Sequence, residues 1–290
     1  MSTPRILTLP PGAHRTTIPT PSGPIAALAA GPVGGAPDRH TAVLVPGFTG
    51  SKEDFIALLG PLAQAGRRVY AIDLPGQYQS PGSDTLDAYS CAALGRAVAE
   101  VIAALEQGPV HLLGHSFGGL VTRETVLSTA VPLLSHALLG SGPSGVEGSR
   151  REDALRLIAA LGPSPTREIV HRIWWEHLED QYRASGLPEE IHVFMRERML
   201  ANHPLGLLRM AQEVTSAPDR TAELAAAGLP TLVLYGEDDD AWSPATQSAM
   251  AAVLNARCVV IPGAAHSPNV EAPEATAAAL TAFWDQAESR

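Results

Sequence analysis

Short apolar segments alternate with helical patterns along most of this chain, and this alternation limits its possible folds more than any other feature. The apolar segments are residues 24–30, 41–48, 67–76, 109–116, 135–142, 230–238 and 256–263. A strand that is buried on both faces has this nearly continuous apolar character, which is typical of a parallel sheet. Residues 1–23 are rich in proline and threonine, and we expect them to form a tail that leads into an edge strand.

Helical spacing of apolar residues fills the gaps between these predicted strands. The predicted helices are residues 55–65, 86–106, 117–130, 245–254 and 274–287. Alternation of strands and helices predicts an α/β protein with a doubly wound, mostly parallel sheet. Active sites in such sheets lie beyond the carboxyl ends of the strands, so we expect functional residues in the loops that follow them.

One long stretch, residues 146–215, has no strand-like segment. It is predicted to form three or four helices, whose starts are marked by Pro163, Pro165, Pro188 and Pro204. An insertion of this size after a strand indicates a helical cap over the strand ends. The predicted division is residues 1–145 for the first part of the core, 146–215 for the cap and 216–290 for the second part of the core.

Charge and composition exclude several classes of protein. The formal net charge of −10 argues against a nucleic acid or an anionic membrane surface as partner, because both require a basic face. The sequence has no run of 18 apolar residues, so no membrane span is predicted. The amino terminus lacks a secretion signal, and we therefore expect a soluble cytoplasmic protein. Cys91 and Cys258 form no CxxC pair and are predicted to be buried thiols. No metal site is expected, and the oligomeric state stays open.

The segment Gly114-His115-Ser116-Phe117-Gly118 fits the pattern G-x-S-x-G. It follows a predicted strand and precedes a predicted helix, as a nucleophile elbow requires. Ser116 would stand at the apex of a sharp turn, with the N–H groups of a helix amino terminus beside it. Ser116 is therefore the candidate nucleophile.

A serine hydroxyl needs a histidine as base, and the histidine needs a carboxylate to orient it. Among ten histidines, only His266 lies on a loop after a late predicted strand. The preceding strand ends in three consecutive aspartates, 238–240, which gives the chain order serine, aspartate, histidine.

These segments together resemble the α/β-hydrolases, in particular the capped serine esterase and lipase-like group. The matching segments are VPGFTGSKEDF (45–55), DLPG (73–76), GHSFGG (114–119), YGEDDDAW (235–242) and PGAAHSP (262–268). The resemblance implies the α/β-hydrolase fold with an inserted helical cap and a Ser-His-Asp triad. It implies neither a cofactor nor a metal.

The resemblance gives two rules for the acid, and they disagree by one residue. The family often has an aspartate three residues after a glycine, which from Gly236 gives Asp239. It also usually has a proline four residues after the acid, which from Pro244 gives Asp240. We prefer Asp239 because the glycine and the strand end fix the position more directly, and Asp240 and then Asp238 remain as alternatives.

The resemblance also implies an oxyanion hole formed by the backbone N–H groups of Phe48 and Phe117. Pro46 stands where the family often has histidine, and Thr49 is either an extra hydroxyl donor or an ordinary turn residue. Trp174, Trp175 and Tyr182 in the cap indicate an apolar substrate pocket. The alternative for each of these aromatic residues is that it packs the cap onto the sheet.

The function that these residues favour is hydrolysis of a carboxylic ester, or a related acyl bond, of a small and partly apolar substrate. Fold and triad do not fix the substrate. A lyase, a synthase or a C–C hydrolase on the same scaffold is one alternative, and a ligand-binding protein with a vestigial triad is another.

Overall fold

An eight-stranded sheet forms the centre of the molecule in the computed structural model, which describes residues 2–35 and 38–289. The strands are β1 (His14–Thr20), β2 (Gly23–Ala30), β3 (Arg39–Val45), β4 (Arg67–Ile72), β5 (Val110–His115), β6 (Leu133–Leu139), β7 (Thr231–Gly236) and β8 (Arg257–Ile261). Their order across the sheet is β1-β2-β4-β3-β5-β6-β7-β8. Strand β2 is antiparallel to both of its neighbours, and the pairs from β4 to β8 are parallel. The predicted doubly wound, mostly parallel sheet is confirmed.

The helices connect successive strands or follow the last one. They are α1 (Ile56–Gln64), α2 (Cys91–Leu105), α3 (Phe117–Ser128), α4 (Gly148–Leu161), α5 (Arg167–Ile173), α6 (Glu179–Ala184), α7 (Glu189–Ala201), α8 (Pro204–Ser216), α9 (Thr221–Ala226), α10 (Pro244–Val253), α11 (Pro268–Glu271) and α12 (Pro273–Glu288). Two short 3₁₀ helices cover Lys52–Phe55 and Leu86–Tyr89, and a π-helical turn covers Trp174–Leu178.

All seven predicted strands are present, but four local features differ from the expectations. Part of the predicted tail is strand β1, which lies at the sheet edge and has mostly exposed residues, so its apolar signal is weak. Helix α9 was not predicted, and the predicted cap helix that includes Trp174 is interrupted by the π-helical turn. Cys258 is exposed on the edge strand β8, whereas Cys91 is buried as expected.

The core lies on both faces of the sheet because successive residues of a strand point to opposite sides. In β3, Val43 and Val45 pack in the cluster that contains Leu94 and Val98 of α2. Leu44, between them, packs in the cluster on the other face with residues of α1 and α12. A strand covered on both faces has no polar side, which explains the continuous apolar segments.

Helices α4 to α8 lie between β6 and β7 and have an apolar cluster of their own. Buried Arg198 on α7 pairs with buried Asp54, with a distance of 2.7 Å from Nη1 to Oδ1. The backbone carbonyl of Asp54 accepts a hydrogen bond from Asn269 on α11, at 2.8 Å. Asp54 therefore joins the inserted helices to the segment that follows β8. The division of the chain into core and cap domains stays a prediction.

Within residues 2–35 and 38–289, no helix combines the length and the apolar character needed to cross a membrane.

Candidate active site

Ser116 lies at the abrupt turn from β5 into α3, at the carboxyl edge of the sheet. Its φ of 56° and ψ of −125° form a backbone conformation that residues other than glycine rarely adopt. A Cβ atom on Gly118 would lie 2.5 Å from the carbonyl oxygens of Pro46 and Val45. A Cβ atom on Gly114 would overlap the backbone of Gly118. The two glycines are thus required for the tight turn that presents the serine.

The side chains of Ser116, His266 and Asp239 form a hydrogen-bonded chain. The Oγ of Ser116 lies 2.9 Å from Nε2 of His266, and Nδ1 of His266 lies 3.0 Å from Oδ1 of Asp239. They come together because β5, β7 and β8 end at the same edge of the sheet. An imidazole in this position can accept a proton from the hydroxyl while the carboxylate stabilises the charged ring.

Asp239 is almost completely buried, and each of its carboxylate oxygens has a donor from the loop or helix that follows β7. Oδ1 accepts the N–H of Ala241 at 2.9 Å, and Oδ2 accepts Nε2 of Gln247 at 2.9 Å. Burial by itself would raise the pKa of Asp239, but hydrogen bonds from His266, Ala241 and Gln247 together hold that pKa below its ordinary value. The group is therefore an ionised carboxylate at neutral pH.

The two neighbouring aspartates point elsewhere. Asp240 is exposed and forms a bidentate salt bridge with Arg150 on α4. The distances are 3.1 Å from Nε to Oδ2 and 2.9 Å from Nη2 to Oδ1. Asp238 is exposed, and its backbone N–H donates to the carbonyl of Ala264. Of the three aspartates, Asp239 is the one in contact with His266, at the position counted from the glycine at the end of β7.

The two residues predicted to form an oxyanion hole flank Ser116. Phe117 is the first residue of α3, so its N–H has no acceptor within the helix. Phe48 follows Gly47, and a Cβ atom on Gly47 would lie 3.0 Å from Cβ of Ser116. The Thr49 hydroxyl donates to the carbonyl of Phe48 at 2.6 Å, so Thr49 is a turn residue and not a free donor.

His115, inside the elbow motif, supports the backbone of His266. Its Nε2 lies 3.0 Å from the carbonyl oxygen of His266. Burial lowers the pKa of His115 to about 3, so the ring is neutral. The ring proton therefore sits on Nε2, where it donates to that carbonyl.

The family model described as "Alpha/beta hydrolase family" matches residues 42–279, a range that contains every residue of this site. The chain belongs to the alpha/beta hydrolase family. The expected resemblance is thereby confirmed, and with it the fold.

Curated relatives of this alpha/beta hydrolase carry several different names. A candidate carbamate hydrolase, RutD, from Variovorax paradoxus is 30% identical over 211 residues, which is 71% of this chain and 77% of the relative. A 2-hydroxy-6-oxononadienedioate/2-hydroxy-6-oxononatrienedioate hydrolase from Cupriavidus pinatubonensis is 29% identical over 67% of each chain.

Solved structures resemble this alpha/beta hydrolase over nearly its whole length. An esterase from Thermogutta terrifontis has a TM-score of 0.71 and 24% identity, with 94% of this chain and 99% of the other covered. A candidate aryl esterase from Burkholderia cenocepacia has a TM-score of 0.75 and 19% identity, with 96% and 100% covered. Because both structures are less than 25% identical to this chain, the likeness shows a shared fold only.

The three aromatic residues that were predicted to lie in a cap have different surroundings. Trp174 is buried in the apolar cluster of the inserted helices, where it stacks on Tyr182 and donates from Nε1 to Glu179 at 2.6 Å. Trp175 is 52% exposed and lies against Arg196. Trp174 and Tyr182 therefore pack against each other within the inserted helices. The pocket role of all three residues and their packing onto the sheet both stay predictions.

Two residues of the site were missed at the sequence level. Gln247 faces the core side of α10, in line with buried Met250 and Ala251, and holds Asp239. A polar residue on an apolar helix face was the available signal.

Trp242 is the second missed residue. It is buried with its ring centroid 6.2 Å from that of His266, and its Nε1 donates to the carbonyl of Ser144 at 3.0 Å. Only its place beside the aspartates pointed to the site.

In the part of the chain that the structure describes, no three His, Cys, Asp or Glu side chains are grouped as metal ligands.

Proposed function

We propose that this protein is a serine hydrolase that cleaves a carboxylic ester, or a related acyl bond, of a small and partly apolar substrate. The observation that carries the proposal is the hydrogen-bonded chain from Ser116 Oγ through His266 to Asp239. Both links are within hydrogen-bond distance, so His266 can take the proton of Ser116 while Asp239 orients and stabilises its ring.

In the first step, Ser116 Oγ attacks the carbonyl carbon of the substrate. Nε2 of His266 takes the hydroxyl proton, and the carbonyl oxygen becomes an oxyanion. The carboxylate of Asp239 accepts the Nδ1–H bond and stabilises the imidazolium. The backbone N–H groups of Phe48 and Phe117 donate to the oxyanion, which is where such donors have their largest effect.

In the second step, the tetrahedral intermediate collapses to an acyl-enzyme. The bond between the carbonyl carbon and the leaving oxygen breaks, and His266 gives its proton to the leaving alcohol. A water molecule then attacks the acyl carbon, with His266 again as base. The carboxylic acid leaves and Ser116 regains its proton.

The surroundings of the site favour a substrate with an apolar part. Phe48 packs on Phe117, the residue after the nucleophile, and also against the apolar cluster of the inserted helices. Ser116 itself is only 8% exposed, so bulk water has little access to it. An acyl group placed against these side chains would gain from burial.

A second candidate is cleavage of another acyl-type bond by the same three residues. The names of the curated relatives support it, because they include a candidate carbamate hydrolase and a dienedioate hydrolase. A relative from Bacillus subtilis, 26% identical over 237 residues, is named as a candidate 2-succinyl-6-hydroxy-2,4-cyclohexadiene-1-carboxylate synthase. That name supports a further alternative, a non-hydrolytic reaction at Ser116, which is distinct from the second candidate.

The deciding experiment is turnover of p-nitrophenyl esters from acetate to palmitate, with an aryl carbamate alongside, by the wild type and by Ser116→Ala. We expect ester turnover that disappears in the variant, with an optimum at short or medium acyl chains. Faster turnover of the carbamate would favour the second candidate. Folded wild-type protein without turnover of either would contradict the hydrolase proposal, and tight ligand binding without turnover would favour a binding protein.

A further inference from the structure

Gln77 belongs to the loop after β4, and its side chain is completely buried against the loop after β3. Its Nε2 donates to the carbonyl oxygen of Gly47 at 2.9 Å. Its Oε1 accepts the N–H of Leu74 at 3.3 Å, and Nε2 also lies 3.9 Å from Sδ of Met210 on α8. These partners fix which end of the amide faces Gly47, since only a nitrogen can donate to a carbonyl.

The carbonyl that Gln77 contacts belongs to the same peptide unit as the N–H of Phe48. A trans peptide is planar, so its C=O and its N–H point in opposite directions. Holding the oxygen of Gly47 on the Gln77 side therefore aims the N–H of Phe48 the other way. That N–H is one of the two donors assigned to the oxyanion.

This peptide unit requires such a restraint because it follows a glycine. Gly47 has no side chain to limit its backbone angles, so rotation of the 47–48 peptide meets little steric resistance. A rotated peptide would replace the N–H donor with a carbonyl oxygen, which repels an oxyanion. The N–H of Gly50 also donates to the Gly47 oxygen, at 3.0 Å, and Gln77 supplies the second donor.

A buried ion pair holds the loop that carries Gln77. Oδ1 of Asp73 accepts the N–H of Lys52 at 2.7 Å, and Oδ2 accepts Nζ of Lys52 at 2.8 Å. The same carboxylate accepts the N–H of Gln79 at 3.2 Å. The pair ties the loop that carries Gln77 to the helix that follows the Phe48 loop.

We infer that Gln77 is a positioning residue for the oxyanion hole: its side-chain amide holds the Gly47–Phe48 peptide with the Phe48 N–H directed at the reacting carbonyl. The inference rests on the proposed function. A polarised carbonyl also makes the N–H of the same peptide a stronger donor, which adds to the effect.

The test is Gln77→Met, which keeps the length of the side chain and removes its N–H donors. We expect kcat for the best p-nitrophenyl ester to fall about tenfold while KM changes less than about twofold, because the oxyanion forms only after binding. The matched control is Gln79→Met, the same change at an exposed position two residues away. It should keep wild-type kcat.

A second readout needs no substrate. A fluorophosphonate labels the activated serine through an oxyanion-like transition state, and its second-order labelling rate should also fall about tenfold in Gln77→Met. Gln77→Leu is a second replacement that also removes the donors. Thermal unfolding of Gln77→Met, Gln77→Leu and Gln79→Met shows whether each variant is folded, and all rates are normalised to the amount of folded enzyme.

Wild-type kcat and labelling rate in folded Gln77→Met and Gln77→Leu would overturn the role of Gln77 alone. A rise in KM with unchanged kcat would also overturn it, because that pattern marks substrate binding. A wild type that neither hydrolyses esters nor reacts with the phosphonate would overturn the proposed function together with this inference.

Discussion

Replacing Asp239 by asparagine tests the proposed triad most directly, because the change keeps the shape of the side chain and removes its charge. Oδ1 of Asp239 accepts hydrogen bonds from both Ala241 and His266. An amide nitrogen at that position would face the N–H of Ala241 and would donate to Nδ1 of His266. The ring proton would then sit on Nε2, where it blocks transfer from Ser116.

The other orientation of the amide keeps the tautomer but loses the charge. At 3.0 Å and an effective dielectric constant of about 20, the attraction between carboxylate and imidazolium is about 5.5 kcal/mol. That energy corresponds to a factor of about 10⁴ in rate. We therefore expect Asp239→Asn to lower kcat/KM for p-nitrophenyl esters by about 10³-fold to 10⁴-fold.

The matched controls are Asp238→Asn and Asp240→Asn, which make the same change on either side. Asp238 is exposed, and the exposed pair between Asp240 and Arg150 contributes only about 0–1 kcal/mol to stability. Both variants should keep activity within about threefold of wild type. If Asp240→Asn is the inactive variant and Asp239→Asn retains activity, the assignment of the acid is refuted.

Three further outcomes follow from the contacts described. Gly118→Ala should abolish soluble folded protein, because its Cβ would lie 2.5 Å from two carbonyl oxygens; a well-folded, active variant would contradict this. Gln247→Leu should lower kcat about tenfold at nearly unchanged KM, since it removes a donor to the triad carboxylate; steady-state kinetics against Ser248→Ala as control would reveal it. Burial lowers the pKa of His136 from 6.5 to about 3, so only the unfolded chain is protonated at that residue between about pH 6 and 4. The free energy of unfolding should therefore fall as the pH is lowered, and His136→Gln should reduce that slope by about 1.4 kcal/mol per pH unit in urea titrations.

Much of the sheet was predictable because buried parallel strands leave a simple pattern. Seven strands were identified from apolar segments, and four of them, β3, β5, β7 and β8, end at loops of the candidate site. Strand β1 was not, because an edge strand with one exposed face carries few apolar residues. The apolar spacing also did not reveal the π-helical turn at Trp174–Leu178, where the buried Trp174 donates to Glu179.

The candidate site was predictable where chemistry is tied to a local motif. The elbow motif locates Ser116. His266 is located by its position on a loop after a late strand. The glycine at the end of β7 selected the aspartate that contacts His266. Residues that act through long-range contacts left little trace, such as Gln77, which reaches a carbonyl 30 positions away, and Gln247, which reaches the acid from a helix.

Buried Asp54 limits which inserted helices this chain could accept from a relative. Its carboxyl group pairs with Arg198 from the inserted helices. Its backbone carbonyl accepts a hydrogen bond from Asn269 in the segment after β8. A chimera that received the inserted helices of a relative without an equivalent arginine would leave the carboxyl group of Asp54 buried without its partner, a cost of about 3–5 kcal/mol. Recombination of this insertion is therefore restricted to donors that bring the arginine or to recipients that also lose the aspartate.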